Sequence, residues 1–235
     1  MNSWLLLSLV LAHIIGDFYF QSDKCCEQKE KKKIRSSFLY LHSFIIGVIS
    51  WLLVPFCEFW FYALVIAISH LIIDVVKACF NNKLWVFIID QLAHLGVLAV
   101  VATLFNVCGK LPIQMIDSFY SFLLPMLILV VLICLKPANI LIKLILENYK
   151  IELSDSNDNI KNAGALIGNL ERILTIIFVI IGQYEAIGFI IAAKSLLRFK
   201  ETATAKTEYV LAGTFLSFGI AIVCGLLVKM AIQVI

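Results

Sequence analysis

The stretch Leu11–Lys24, LAHIIGDFYFQSDK, decides how the whole chain is read. It closes an apolar segment of roughly 19 residues, long enough to cross a bilayer. Yet it carries His13 and Asp17, four residues apart. Residues at that spacing share one helix face. Ionisable groups are expensive at membrane depth, so they turn towards a bundle interior and towards one another. The segment therefore reads as one wall of a helical bundle with a polar inside. No basic stretch precedes the apolar run and no small-residue cleavage site follows it, so it reads as a retained helix rather than a signal peptide.

The rest of the chain agrees. It has 235 residues, 62% hydrophobic and only 15% charged, with a mean hydropathy of +0.98. A soluble domain is nearer half apolar and about a quarter charged. Apolar segments recur at roughly 3–21, 38–56, 59–80, 84–106, 116–135, 164–183, 185–199 and 208–232. The expected fold is an all-α, polytopic transmembrane helix bundle of about eight spans, with seven as the alternative. The segment at 185–199 is short and reads as tilted or re-entrant. KPANILIKLILENYK (136–150) differs from the others. Lys136, Lys143 and Lys150 recur every seven residues with Ile and Leu between them, which predicts an amphipathic helix at the membrane surface or an extension of the fifth span. The polar ELSDSNDNIKN (152–162) is turn-rich and marks a boundary. The expected organisation is a four-helix unit over 1–110, a fifth span with the amphipathic helix and a loop over 111–163, and a second membrane unit over 164–235.

Charge orients the spans. Six basic residues lie in 22–36, and Lys77, Lys83, Lys136, Lys143, Lys150, Lys161, Arg198, Lys200 and Lys206 fall on the same side of an eight-span bundle. The positive-inside rule then places the 22–36 loop in the cytoplasm and both termini outside. The seven cysteines form no C-x-x-C pair. Most sit in apolar segments as small hydrophobes, and a Cys57–Cys108 disulfide is only weakly indicated.

The chemistry lies in the histidines. All four fall inside apolar segments: His13, His42, His70 and His94. Three form i, i+4 pairs with aspartate, namely His13 with Asp17, His70 with Asp74, and Asp90 with His94. Gln21 continues the first face, Lys77 the third, and Gln91 adjoins Asp90. Counted from the segment ends, all these groups sit at the depth of the cytoplasmic leaflet, which makes one convergent site geometrically reasonable. Imidazole nitrogen and carboxylate oxygen are ligands for divalent Zn, Mn or Fe, and facing helices are where bundles build such centres. His13, Asp17, His42, His70, Asp74, Asp90 and His94 are the candidate ligands. They exceed what one ion needs, so either two ions share the site or some members serve as supporting partners or as a general base, with Asp17 or Asp90 in that role. A proton relay and a purely structural hydrogen-bonded link are the competing readings.

The second half carries Glu171 and Arg172 in the sixth span and Lys194 and Arg198 on one face of the seventh. With Gln21, Lys77 and Gln91 these are the candidate substrate-binding residues, a cationic set suited to a phosphate or lipid head group. The alternative is that Lys194 and Arg198 snorkel to the interface or pair with Glu171, Glu201 or Glu208.

LAHIIGDFYFQSD, ISHLIIDVVK and DQLAHL, in that order over residues 11–95, resemble the bacterial membrane proteins grouped as domain of unknown function 3307. GNLERIL, AAKSLLRFKE and EYVLAGTFLS resemble the C-terminal portion often fused to it. The resemblance implies a bacterial inner-membrane protein and carries over His13, Asp17, Gln21, His70, Asp74, Asp90 and His94 as motif positions. The pattern is distantly similar to membrane-bound metal-dependent hydrolases, which also place His and Asp within spans.

The expected function is an intramembrane metal-binding protein, a metal-dependent hydrolase acting from the cytoplasmic side on a phosphate-bearing lipid or another membrane-associated substrate. The alternative is an ion- or proton-coupled transporter using the same residues. Membrane lipids are the expected partners, and nothing points to nucleic acid. Neither a phosphate-binding G-x4-G-K-[ST] loop nor a G-x-S-x-G nucleophile motif is present.

Overall fold

In the computed structural model, residues 3–21, 36–54, 56–80, 83–108, 119–149, 163–198 and 204–234 are described. The basic 22–35 loop, the 152–162 segment, Cys25, Cys26 and Lys110 lie outside them. Among the described residues the chain is all-helical. Helix α1 (Ser3–Ile14) runs into a wider π-helical turn at Ile15–Tyr19. Then come α2 (Ser37–Leu53), α3 (Trp60–Lys77, entered through a 3-10 turn), α4 (Leu84–Cys108), α5 (Phe119–Cys134), α6 (Lys136–Asn148), α7 (Ala163–Ile181), α8 (Tyr184–Arg198) and α9 (Thr204–Val234).

Five stretches are long and apolar enough to cross a membrane: Cys57–Lys77, Leu84–Cys108, Phe122–Asn148, Gly164–Ile181 and Tyr209–Gln233. Trp4–Tyr19 and Ser37–Leu53 are shorter apolar helices. The expected short segment at 185–199 is the 15-residue α8. The amphipathic stretch at 136–150 continues α5 after a single residue, Leu135, and the two together make one apolar span.

The burial pattern turns a soluble helix inside out. On α3, Ile66, His70 and Asp74 are buried one turn apart, while Leu64, Ile68, Ile72 and Val76 form the outer face, each about half exposed. Apolar side chains outside and ionisable groups inside are what lipid demands. The protein is a multi-pass membrane protein.

The chain divides into two compact units, residues 1–129 and 130–235. In the first, α1, α2, α3 and α4 pack in a ring, each helix against two others. Glycine sets two of the crossings. A Cβ on Gly47 would lie 2.9 Å from Ala67 Cβ and 3.2 Å from the Ala63 carbonyl oxygen, so α2 and α3 touch almost backbone to backbone. A Cβ on Gly16, in the π turn, would strike the end of the Ile46 side chain.

The interior of this unit has two halves. Leu5, Leu9, Ile46, Phe59, Ala63, Ile66, Leu98, Val101, Ala102 and Phe105 fill one end as a dry core. The polar residues occupy the other. Exposed Trp51 and Trp60 mark the apolar end, and Phe20, Phe80 and Trp85 mark the polar end, as aromatic belts do at membrane interfaces. From Trp60 to His70 along α3 is about 15 Å, and to Lys77 about 26 Å. The polar groups thus occupy α3 from about its middle to one end. In the second unit α9 lies chiefly along α7 and also meets α6 and α8. A Cβ on Gly225 of α9 would lie 2.8 Å from Val179 Cβ.

Candidate metal centre

Each helix delivers its polar groups to the interior by periodicity. On α2, Leu39, His42, Ser43, Ile46, Gly47 and Ser50 are the buried positions. On α4, Asp90 and His94 share a face with Leu98 and Val101. On α1, His13 lies one turn from Asp17, which falls in the π turn. There the Phe20 N–H reaches back five residues to the Ile15 carbonyl at 3.1 Å. Turns of this kind often sit at functional positions because they re-aim one side chain without ending the helix.

The seven expected ligand residues come together, joined by Gln91 and Lys77. His13, His42, His70, Asp74, Asp90 and His94 are all buried, and Asp17 nearly so. Two of the i, i+4 pairs that the spacing suggests approach within 4 Å, His70 with Asp74 and Asp90 with His94, and contacts across helices join them. Asp17 Oδ1 meets His42 Nε2 at 3.1 Å and His70 Nε2 at 3.9 Å. His42 Nε2 and His70 Nε2 are 3.0 Å apart. Asp74 Oδ2 lies 3.9 Å from His70 Nε2. Lys77 donates to Asp90 Oδ2 at 2.6 Å. The imidazoles stack as a column, with ring centres 4.2 Å apart for His70 and His94 and 4.9 Å for His13 and His94.

Gln91 is the connector. Its Nε2 donates to Asp17 Oδ2 at 3.0 Å and to Asp90 Oδ2 at 3.1 Å. The reverse orientation would aim the amide oxygen at two carboxylates, so chemistry fixes the amide. Its Oε1 then faces His13 Nε2 at 3.3 Å. His13 therefore carries its proton on Nε2 and its lone pair on Nδ1. His94 is fixed the opposite way. Its Nδ1 donates to the Asp90 backbone carbonyl at 2.9 Å, which leaves the lone pair on Nε2. That Nε2 is buried and has no hydrogen-bond partner, and neither has Asp90 Oδ1.

The donor set points the same way. Three carboxylates stand beside four imidazoles, the oxygen and nitrogen atoms that divalent ions take as ligands. Two sets of ligand atoms lie within 4.8 Å of one another: Asp17, His42 and His70, and His70, Asp74 and His94. Two ligands on one tetrahedral zinc ion stand about 3.3 Å apart, given bonds of about 2.0 Å. In the Asp17, His42 and His70 set the separations of 3.0, 3.1 and 3.9 Å bracket that spacing, and in the His70, Asp74 and His94 set His70 Nε2 and Asp74 Oδ2 stand 3.9 Å apart. The residues present thus fit a divalent ion. A cavity of about 10 Å³ beside His13, Ser69, His70 and His94 has room for one water-sized ligand.

Residues 5–123 match the family described as protein of unknown function (DUF3307). The chain belongs to the DUF3307 family. No curated protein and no solved structure matches it. All nine polar residues of the centre lie inside the segment that matches DUF3307, and the match ends before the second unit.

The remaining expected residues lie elsewhere. Gln21 is partly buried just past the π turn. In the second unit Lys194 donates to Glu171 Oε2 at 2.6 Å, while Arg172 turns away from that pair and is bound by Cys134, Asn139, Asn169 and Ser217. The side chains of Arg198, Glu201 and Glu208 lie outside the described residues. Cys57 and Cys108 are free thiols. The spacing gave no sign of Asn139 or Ser217, which come from other helices. Asn169 is three residues from Arg172, so helix periodicity alone places it on the same face.

Proposed function

We propose that the first unit is an intramembrane binding site for one divalent ion, Zn, Mn or Fe, and that the protein is a metal-dependent hydrolase. Its substrate is a phosphate-bearing lipid or another membrane-associated ester, met from the cytoplasmic side of a bacterial inner membrane. The observation that carries the reading is His94. A buried imidazole whose Nδ1–H is held by a backbone carbonyl, and whose Nε2 is left bare, has the arrangement of a metal ligand with its outer-shell partner. His70 and Asp74 complete the set that holds the ion. A bound ion of this class would supply acidification of a water near neutral pH. Asp17, oriented by Gln91 and His42, is placed to accept a proton at its carboxylate. Lys77 neutralises Asp90, whose backbone carbonyl keeps His94 in the required tautomer. On the positive-inside rule the polar end faces the cytoplasm.

Release of phosphate or head group from phospholipid vesicles tests this directly. Activity that disappears with a chelator and returns with Zn or Mn supports the reading. Activity indifferent to chelation overturns the hydrolase.

A second reading rests on one observation. Lys77, Asp90, Gln91, Asp17, His42 and His70 form an unbroken chain of hydrogen bonds, as in a proton relay. The dry core between this chain and the Trp60 end weighs against passage through the unit. Proton or cation flux into liposomes that is lost in Asp74→Asn would favour the relay over the hydrolase.

A further inference from the structure

Among its described residues the second unit buries a cation, Arg172, that no carboxylate pairs, far along the chain from the His/Asp network. Arg172 of α7 is 2% exposed. Its Nε donates to the Cys134 carbonyl at the end of α5. Nη1 donates to Ser217 Oγ of α9 at 2.8 Å, and Nη2 to Asn139 Oδ1 of α6 at 2.5 Å and to Asn169 Oδ1 at 2.6 Å. Every one of these acceptors is neutral. The adjacent carboxylate, Glu171, is engaged by Lys194, so that pair adds no net charge. Among the described residues no carboxylate pairs with Arg172. Four neutral hydrogen bonds solvate the guanidinium, yet its charge stays uncompensated in a membrane-spanning unit, where charges normally pair.

Depth and backbone add independent observations. Arg172 sits at the middle of the Gly164–Ile181 span, and Leu135 at the middle of Phe122–Asn148. At Leu135 the helix is broken: α5 stops, Leu135 takes φ −88° and ψ −98°, and α6 restarts at Lys136 with a proline in its first turn. Interrupted helices near the midplane are where membrane proteins bind ions, because they present helix-end dipoles and unpaired backbone groups there. Gly168, one turn before Arg172, lets the guanidinium pack against its backbone: a Cβ there would lie 3.2 Å from Nη1 and 3.7 Å from Nη2. A guanidinium has five N–H donors, and the four bonds above leave one on Nη1.

We propose that Arg172, Asn139, Asn169 and Ser217 form a mid-membrane binding site for a small oxyanion, a carboxylate or phosphate drawn from solution, held by the remaining Nη1–H at the Gly168 edge of the guanidinium. The planar fork of the guanidinium matches such anions, whose charge supplies the missing neutrality.

The test uses the full chain in detergent, stripped with EDTA so that no metal offers phosphate a second site. Inorganic phosphate and acetate are titrated by calorimetry. The expected result is saturable binding of at least one. It should be at least about tenfold weaker in Gly168→Val, which covers the guanidinium but keeps its charge, and absent in Arg172→Gln. Lys143→Gln, exposed on α6, should bind as the unaltered protein does. No saturable binding of either anion by the unaltered protein overturns the proposal. So does undiminished affinity in folded Gly168→Val, the result expected if Arg172 only ties helices together. If Arg172→Gln does not fold, these two measurements decide. An anionic phospholipid retained in native mass spectra, dependent on Gly168 and not displaced by phosphate, would assign the site to a lipid head group and also overturn it.

Discussion

The two units solve the same problem differently. Both place ionisable groups inside a bundle whose outside is apolar. The first concentrates charge, with three aspartates, one lysine and four imidazoles packed so closely that two buried polar atoms are left bare. The second disperses it, with a single guanidinium wrapped by neutral acceptors from four helices. The first offers carboxylate oxygens and a spare imidazole lone pair, which suit a cation. The second offers a guanidinium with a spare donor. Polar content alone does not distinguish them; the sign of the charge and the identity of the unsatisfied atoms do.

The largest expected effect belongs to His94. His94→Ala and His70→Ala should each abolish metal retention after purification. Asp17→Asn should separate holding from chemistry. It should keep the metal while hydrolysis falls by about 10²- to 10⁴-fold, the usual worth of a general base. Metal loss in Asp17→Asn would instead assign the ion to the Asp17, His42 and His70 set. A smaller effect tests how each unit is packed. Gly47→Val and Gly225→Val both force an isopropyl group into a close helix crossing, and each should cost about 1–3 kcal/mol, read as a lower Tm in detergent. Only Gly47→Val, which pushes apart the helices bearing His42 and His70, should also reduce metal content. Equal metal loss in both variants would mean that general destabilisation drives the effect. At the bottom of the scale, Lys143→Ala removes an exposed pair with Glu147, at 73% and 55% side-chain exposure, and should shift stability by less than about 1 kcal/mol.

Much of the first unit was legible in the sequence. Three His–Asp pairs at helical spacing inside apolar runs required both the bundle and a shared polar interior, and the seven residues do meet. The partners within that interior were legible only in part. Of the three pairs that spacing suggested, His70 with Asp74 and Asp90 with His94 do approach, at 3.9 and 3.6 Å, whereas Asp17 engages His42 and Gln91, and His13 turns to Gln91. Pairing across helices depends on crossing distances, which Gly47 and Gly16 set through contacts far away in sequence. The π turn that carries Asp17 has no periodic signature. The second unit was less legible still. Grouping Arg172 with Lys194 and Arg198 as one cationic face follows from charge type, but Lys194 is taken by Glu171, and Arg172 is bound by an α5 carbonyl, Asn139 and Ser217. A neutral acceptor on another helix leaves no pattern in a linear sequence. The span count met a similar limit. Hydropathy marks eight apolar segments, but three of them fold as helices of 17 residues or fewer.

The central claim is that the bare Nε2 of His94 is there for a metal. Elemental analysis of the detergent-purified protein, expressed without added metal and washed free of loosely held ions, tests it most directly. The account predicts close to one equivalent of Zn, Mn or Fe per chain, and none in His94→Ala of unchanged thermal stability. A folded, unaltered protein that carries no transition metal, and takes none up when Zn or Mn is supplied, would contradict it.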